Sequence, residues 1–352
     1  MPGITVIGSG HFVPGKPVTN HDLAKVMDTS DEWIKRRTGI EQRHFAEDDE
    51  GASDLGAKAA EVAIENAGID KSDIDYIICA TMTPDYIFPG SGGLIGKLLG
   101  IDGTPALDIR QQCAAMPFAF QVANGLVQSG AAETILVVGV EAHAGFMPWA
   151  DWDILYGERE GDVDEELRAR ATRHRGTAII FGDGAGALIM RKSEDDNGGL
   201  LGVEVHTSGA DAQRIYMSAG GFRRRPFFHP DQFKNEEHYP RMDGRELFKT
   251  AVTKLPEVVR SLCAKHDVTL DDIDLFVPHQ ANDRINNAVG EALGLASEKV
   301  ASNIAKFGNT SGATIPILLD EVRRDGRAKR GDLLCFPALG AGLHWGAALM
   351  RL

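Results

Sequence analysis

Cysteine is scarce in this chain. Only Cys79, Cys113, Cys263 and Cys335 occur in 352 residues, and no two form a C-x-x-C pair. That spacing argues against a zinc site, a dithiol redox centre or a disulfide framework, and it fits a reducing cytoplasm. Cys79 and Cys335 sit in the apolar runs YIICAT and DLLCFPA, where cysteine serves as a small buried hydrophobe. Long apolar runs are also missing: no window approaches the roughly 18 residues of a membrane helix. The opening MPGITVIGSG has no basic segment followed by an apolar stretch, so no signal peptide is expected. Positive charge is in deficit, with 37 Lys and Arg against 51 Asp and Glu and a formal net charge of −14. Nucleic acid is therefore not an expected partner. Two local basic clusters, Lys35-Arg36-Arg37 and Arg223-Arg224-Arg225, read either as solvated surface or as anion sites. At this length a core needs neither disulfides nor a structural metal.

What the chain has is alternation. Short apolar runs (ITVIG 4–8, YIICAT 76–81, ALDI 106–109, TILVVGV 134–140, TAIIFG 177–182, LFVPH 275–279, DLLCFPAL 332–339) are separated by helix-period segments such as 54–68 and 246–266. Buried strands between helices predict mostly parallel sheets covered on both faces. The halves also match each other. SDIDYIICAT (72–81) aligns with DDIDLFVPHQ (271–280), IGKLLGI (95–101) with VGEALGL (289–295), and AAETILVVGV (131–140) with KRGDLLCFPAL (329–339). The offset stays near 200 residues, which predicts two copies of one βαβ-rich unit, residues 1–175 and 176–352. Sites in such folds collect at the carboxyl ends of strands, between the copies. Residues 143–175 belong to neither copy. They open with Phe146, Trp149, Trp152 and Tyr156 and continue as a charged helical pattern; such a connection is either a surface excursion or a lid or pocket wall.

Cys113 follows the strand ALDI and opens an apolar helical run, where the helix dipole and free N–H groups favour thiolate. His279 ends the strand LFVPH, and Asn309 lies in the turn FGNTSGAT, which occupies in copy two the place of the Cys113 loop in copy one. The repeat therefore predicts that Cys113, His279 and Asn309 converge at the seam. The glycine-rich GSGHFVPG (8–15) fails as a dinucleotide loop because Pro14 interrupts where a helix should begin. FGDGAGALIM (181–190) lacks the lysine of a phosphate loop and reads as close backbone packing. LGAGLHWG (339–346) could offer N–H groups to an oxyanion.

DEWIKRRTGI, TPDYIFPGSG, the Cys113 helix, RGTAIIFGDGAGA, PHQAN and FGNTSGAT, in this order, resemble β-ketoacyl-[acyl-carrier-protein] synthase III of the thiolase superfamily. The resemblance spans the chain, and the 143–175 insertion is its main length discrepancy. It implies a thiolase-like five-layered αβαβα fold, a homodimer, and a Cys–His–Asn site with Cys113 as nucleophile and His279 and Asn309 as the decarboxylation pair. It implies no metal and no resident cofactor, since coenzyme A or phosphopantetheine thioesters are the substrates. Trp33, Arg37, Arg175, Arg245, Phe248 and Asn282 fall where the family contacts the coenzyme A or phosphopantetheine arm, with Arg245 in place of a common asparagine. Arg284 falls where a basic residue assists carrier-protein docking, and Phe88 where a residue caps the partner's acyl pocket.

The implied reaction has Cys113 take an acyl group from an acyl thioester, with backbone N–H groups of Cys113 and of the turn at Ala341 as the oxyanion hole. A malonyl thioester on acyl carrier protein then loses carbon dioxide and attacks the acyl group. Several residues depart from the family. Ala115 and Ala341 replace glycines, and Met116 and Leu339 replace phenylalanines, so the acyl pocket built from Phe88, Met116 and Leu339 is expected to be reshaped. That points to a specialised fatty-acid or secondary-metabolite pathway. The alternative is a relative that moves an acyl group to oxygen, nitrogen or another acceptor without decarboxylation.

Overall fold

Apolar side chains on both faces of the strands set the layering. In Thr134–Glu141 every residue is buried; Ile135 and Val137 enter one core, while Leu136, Val138 and Val140 enter another. A strand with helices on both sides has this pattern. The computed structural model describes residues 3–195 and 198–352. Strands β1 (Ile4–Phe12), β2 (Tyr76–Ala80), β3 (Ala106–Ile109), β4 (Thr134–Glu141) and β5 (Gly184–Lys192) form one sheet in the order β1-β5-β4-β2-β3. Strands β6 (Gly199–Thr207), β7 (Leu275–Phe276), β8 (Leu333–Cys335), β9 (Ala338–Gly340) and β10 (His344–Arg351) form the second. The path β6-β10-β8-β7 repeats β1-β5-β4-β2, and Phe276 pairs in parallel with Val300 where a counterpart of β3 would lie.

The main helices are α1 (Asp31–Thr38), α2 (Ala52–Ala67), α3 (Ser91–Leu99), α4 (Ala115–Gln128), α5 (Glu165–Ala178), α6 (Gly244–Lys265), α7 (Asp283–Leu293) and α8 (Thr314–Arg324). Helices α4 and α8 lie between the sheets. Their Met116, Phe120, Leu318 and Val322 share one core with Val137 and Leu188 of the first sheet and Leu334 and Met350 of the second. Phe120 meets Phe336 edge to face at 5.4 Å across this layer. Cutting such a phenylalanine to alanine costs roughly 3–5 kcal/mol. Helices α2 and α3 cover the outer face of the first sheet, and α6 and α7 that of the second. The result is the five-layered αβαβα arrangement of the thiolase fold.

Three expectations change. The sheets are mixed: β2 is parallel to β3 and β4, but β5 runs antiparallel to β1 and β4, and β10 to β8 and β6. Burial on both faces leaves the same apolar run in either direction, so the pattern alone could not separate them. TAIIFG is not a strand. Asp164 accepts hydrogen bonds from the Glu166 and Leu167 N–H groups, and the helix it starts runs to Ala178. The strand begins only at Gly184, and because β5 completes the first sheet, that sheet extends past residue 175 to Lys192. FGDGAGA is indeed close packing: a Cβ on Gly186 would lie 2.6 Å from the Ile317 nitrogen of α8. Among the described residues no helix is long and apolar enough to cross a membrane.

Candidate active site at the seam

Two equivalent turns meet at the centre of the molecule. After β3 the chain makes a tight turn at Gln112–Ala114 and enters α4; in the second copy a tight turn at Ser311–Ala313 enters α8. Gln112 (φ 52°) and Ser311 (φ 47°) both hold the left-handed conformation, which disfavours residues with a side chain. They stand about 200 residues apart, at the offset of the repeat. The pairing brings the Cys113 Sγ to 3.4 Å from the Ser311 Oγ.

His279 arrives from the second sheet. The ladder between β7 and β8 continues past Phe276, with the Val277 N–H donating to Cys335 O at 2.8 Å and the His279 N–H to Pro337 O at 3.0 Å. The imidazole Nδ1 lies 2.7 Å from Thr314 Oγ1, which also reaches the Ser311 carbonyl at 2.9 Å. Burial lowers the His279 pKa to about 3, so the ring is neutral. Asn309 is held by its own loop. Its N–H donates to Ile180 O, and its Oδ1 accepts from the Ser311 N–H at 2.8 Å, so a ligand would meet the Nδ2 donors. Cys113, His279 and Asn309 all line one cavity of about 1740 Å³.

The thiol does not behave as its helix-start position suggested. Burial, followed by the hydrogen bond between Cys113 and Ser311 acting the other way and by the nearby Glu141 carboxylate, leaves the Cys113 pKa pushed up to about 12. Desolvation outweighs the helix dipole, and the resting group is the thiol. Glu141, fully buried, escaped the sequence reading. Its Oε2 accepts from the Met82 and Thr83 N–H groups and from the Thr81 and Thr83 hydroxyls, and its Oε1 from the Gly312 N–H at 3.3 Å. It thereby ties the ends of β2 and β4 to the Asn309 loop. The available signal was a carboxylate directly after the apolar run TILVVGV.

Ala341 and Leu339 line the cavity beside the nucleophile. A Cβ on Gly340 would sit 2.8 Å from the Cys113 and Ala114 nitrogens, so only glycine lets this strand approach the Cys113 turn so closely. Met116 is different. It is 1 % exposed, packed in the core between the two sheets with Phe120 and Leu318, and is not on the cavity wall. Phe88 is 78 % exposed and also off the wall, though its neighbour Ile87 is on it.

The residues matched to the pantetheine arm fall into two groups joined by Asn282. The Arg37 and Arg175 guanidiniums stack on the Trp33 ring, 4.2 and 4.7 Å from its centroid, and Arg175 also hydrogen bonds to the Asp28 carbonyl. Arg284 lies over Phe248 at 6.0 Å. Asn282 lines the cavity and donates to the Arg37 carbonyl at 2.9 Å. Arg245 is exposed on the first turn of α6. The aromatic opening of the 143–175 segment is a pocket wall, with Phe146, Trp149, Trp152 and Tyr156 on the cavity and Phe45 edge to face with both tryptophans, while residues 165–175 form a helix that does not line it. Among the described residues no group of three or more histidine, cysteine or acidic side chains could hold a metal ion.

Comparison with known proteins agrees with this geometry. Family models match for the thiolase N-terminal domain over residues 35–147, for 3-oxoacyl-[acyl-carrier-protein] synthase III over 167–209, and for its C-terminal part over 263–352. The β-ketoacyl-[acyl-carrier-protein] synthase III of Rickettsia bellii is 38% identical over 346 residues, 98% of each chain. The crystal structure of the Aquifex aeolicus 3-oxoacyl-[acyl-carrier-protein] synthase III superposes with a TM-score of 0.84 at 36% identity, covering 99% of this chain and 100% of that one. The priming β-ketosynthase of a polyketide biosynthetic pathway superposes at 0.83 with 29% identity, covering 99% and 96%. With the seam, the paired turns and full-length similarity in agreement, the chain belongs to the β-ketoacyl-[acyl-carrier-protein] synthase III family of condensing enzymes.

Proposed function

We propose that this chain loads an acyl group onto Cys113 and condenses it with a malonyl thioester, with loss of carbon dioxide. The observation that carries the reading is the meeting of Cys113, neutral His279 and Asn309 on one cavity wall. The Cys113 sulfur attacks the acyl thioester, its proton passes to the departing thiolate, and an S-acyl cysteine and free thiol result. N–H groups at Cys113 and Ala341 serve the tetrahedral oxyanion. When the malonyl thioester occupies the vacated arm, its carboxylate leaves as carbon dioxide and the electron pair becomes an enolate. His279 and the Asn309 amide donate to the enolate oxygen, and the carbanion attacks the acyl carbon and expels Cys113 as the thiolate, which takes a proton from water and returns to the thiol.

This assignment needs the His279 tautomer with hydrogen on Nε2. Thr314 supplies it when its hydroxyl donates to Nδ1 rather than to the Ser311 carbonyl. The Trp33–Arg37–Arg175 stack and Asn282 accept the pantetheine arm, with Arg245 and Phe248 beside it, and no resident cofactor takes part. Arg284 faces the acidic carrier protein. The chain works in the cytoplasm as a homodimer, with Phe88 completing the partner's acyl pocket. Leu339 and the aromatic wall fit a specialised fatty-acid or polyketide pathway.

The test is intact-protein mass after incubation with a panel of acyl-CoA thioesters, with Cys113→Ala as control. An adduct on the wild type alone is expected, followed by carbon dioxide and a β-keto product on adding malonyl carrier protein. No adduct with any chain would refute the reading. Transfer without carbon dioxide would favour the non-decarboxylating acyltransferase.

A further inference from the structure

The aromatic wall starts at the reacting groups. Met82 Sδ lies 3.6 Å from the Ser311 Oγ, and that oxygen lies 3.4 Å from the Cys113 Sγ. Phe181 pairs with Asn309 in an isolated parallel bridge. Met82 and Phe181 belong to one hydrophobic cluster with Phe146, Trp149, Trp152 and Tyr156, and all of them line the cavity. The rings follow one another. Phe146 meets Phe181 edge to face at 6.1 Å, Trp149 meets Trp152 edge to face at 5.5 Å, and Trp152 stacks with Tyr156 at 6.1 Å. Met82, Phe146, Trp152 and Tyr156 are only partly buried, so they keep open surface along this wall. The two tryptophans and Tyr156 come from the 143–175 insertion, the chain's main departure in length from its family.

We infer that this wall receives the acyl group on Cys113 and selects chains that end in an aromatic ring over saturated chains of the same size. The inference names a substrate class for the ketosynthase reading and rests on it. A chain leaving the Cys113 sulfur passes Met82 and Phe181 first, then Phe146 and Trp152. Any apolar chain gains from leaving water there. A flat ring gains in addition edge-to-face contacts with the wall rings and a sulfur–ring contact with Met82, worth about three- to tenfold in affinity. A cyclohexyl group fills similar space and makes neither contact. The wall therefore separates the two chains by their π-electrons rather than by bulk.

The experiment follows the second-order rate of Cys113 adduct formation by intact mass for acetyl-CoA and for two matched pairs. These are 3-phenylpropanoyl- with 3-cyclohexylpropanoyl-CoA, and 5-phenylpentanoyl- with 5-cyclohexylpentanoyl-CoA, so that within a pair only the ring differs. In at least one pair the aromatic member should react about three- to tenfold faster. In Trp152→Leu or Tyr156→Leu that ratio should fall towards one. The ratio is internal to each protein, so a partly unfolded variant cannot imitate its loss. Phe248→Leu, beside the pantetheine arm, should scale every rate alike and keep the ratio. Equal rates within both pairs in the wild type would overturn the inference. So would a ratio unchanged in both wall variants, or one lost equally in Phe248→Leu. Failure of acetyl-CoA and all the others to acylate Cys113 would remove the ketosynthase reading itself.

Discussion

The Cys113 thiol and the Ser311 hydroxyl meet at 3.4 Å across the seam, each at an equivalent turn of the two copies. Ser311 is the one hydrogen-bonding side chain that opposes the burial of the thiol and eases its ionisation. Ser311→Ala should therefore slow acylation of Cys113 by about three- to tenfold, the scale of a lost side-chain hydrogen bond. The measurement is adduct formation against time. An unchanged rate would show that the contact is packing only.

Thr314 is a positioning residue for His279. Thr314→Val keeps the shape but removes the hydroxyl that, by donating to Nδ1, would hold the hydrogen on Nε2. Carbon dioxide release from the malonyl thioester should drop about tenfold or more, while acylation of Cys113 changes far less. Thr314→Ser should restore decarboxylation. Parallel loss of both steps would mean that Thr314 acts only on the fold.

The pH dependence of Cys113 follows from a thiol held at about 12. Below that value the thiolate fraction grows about tenfold per pH unit, so alkylation by iodoacetamide should rise with that slope through about pH 9 without a plateau. A plateau near neutral pH would reveal a resting thiolate. His279, at about 3, stays neutral throughout this range and should add no ionisation limb to decarboxylation between about pH 5 and 8.

Glu141 joins three segments through its two carboxylate oxygens and is completely buried. Glu141→Ala orphans several buried donors at once and should cost about 3 kcal/mol or more in chemical denaturation. Glu141→Gln keeps the acceptor oxygen and should cost less. A loss under about 1 kcal/mol in the alanine variant would show that water replaces the carboxylate freely.

The duplication, the layered α/β architecture and the meeting of Cys113, His279 and Asn309 were legible in the sequence. Each rests on local pattern: apolar runs mark strands, helical periods mark their covers, and a constant offset superposes one copy on the other. Strand direction was not legible, because β5 and β10 are covered on both faces and look the same either way. Neither was the end of α5, where the isoleucines after the helix pack into the core instead of forming a strand. The protonation of the nucleophile also lay outside local sequence, since the helix start favours thiolate and only three-dimensional burial reverses it. Met116 left the acyl pocket for the same kind of reason: the core that the two sheets form around it takes its side chain, whatever its nearness to Cys113 in the chain. Glu141 acquires meaning only once distant segments surround it, because the cost of a buried polar group depends on its neighbours in space and not on its neighbours in the chain.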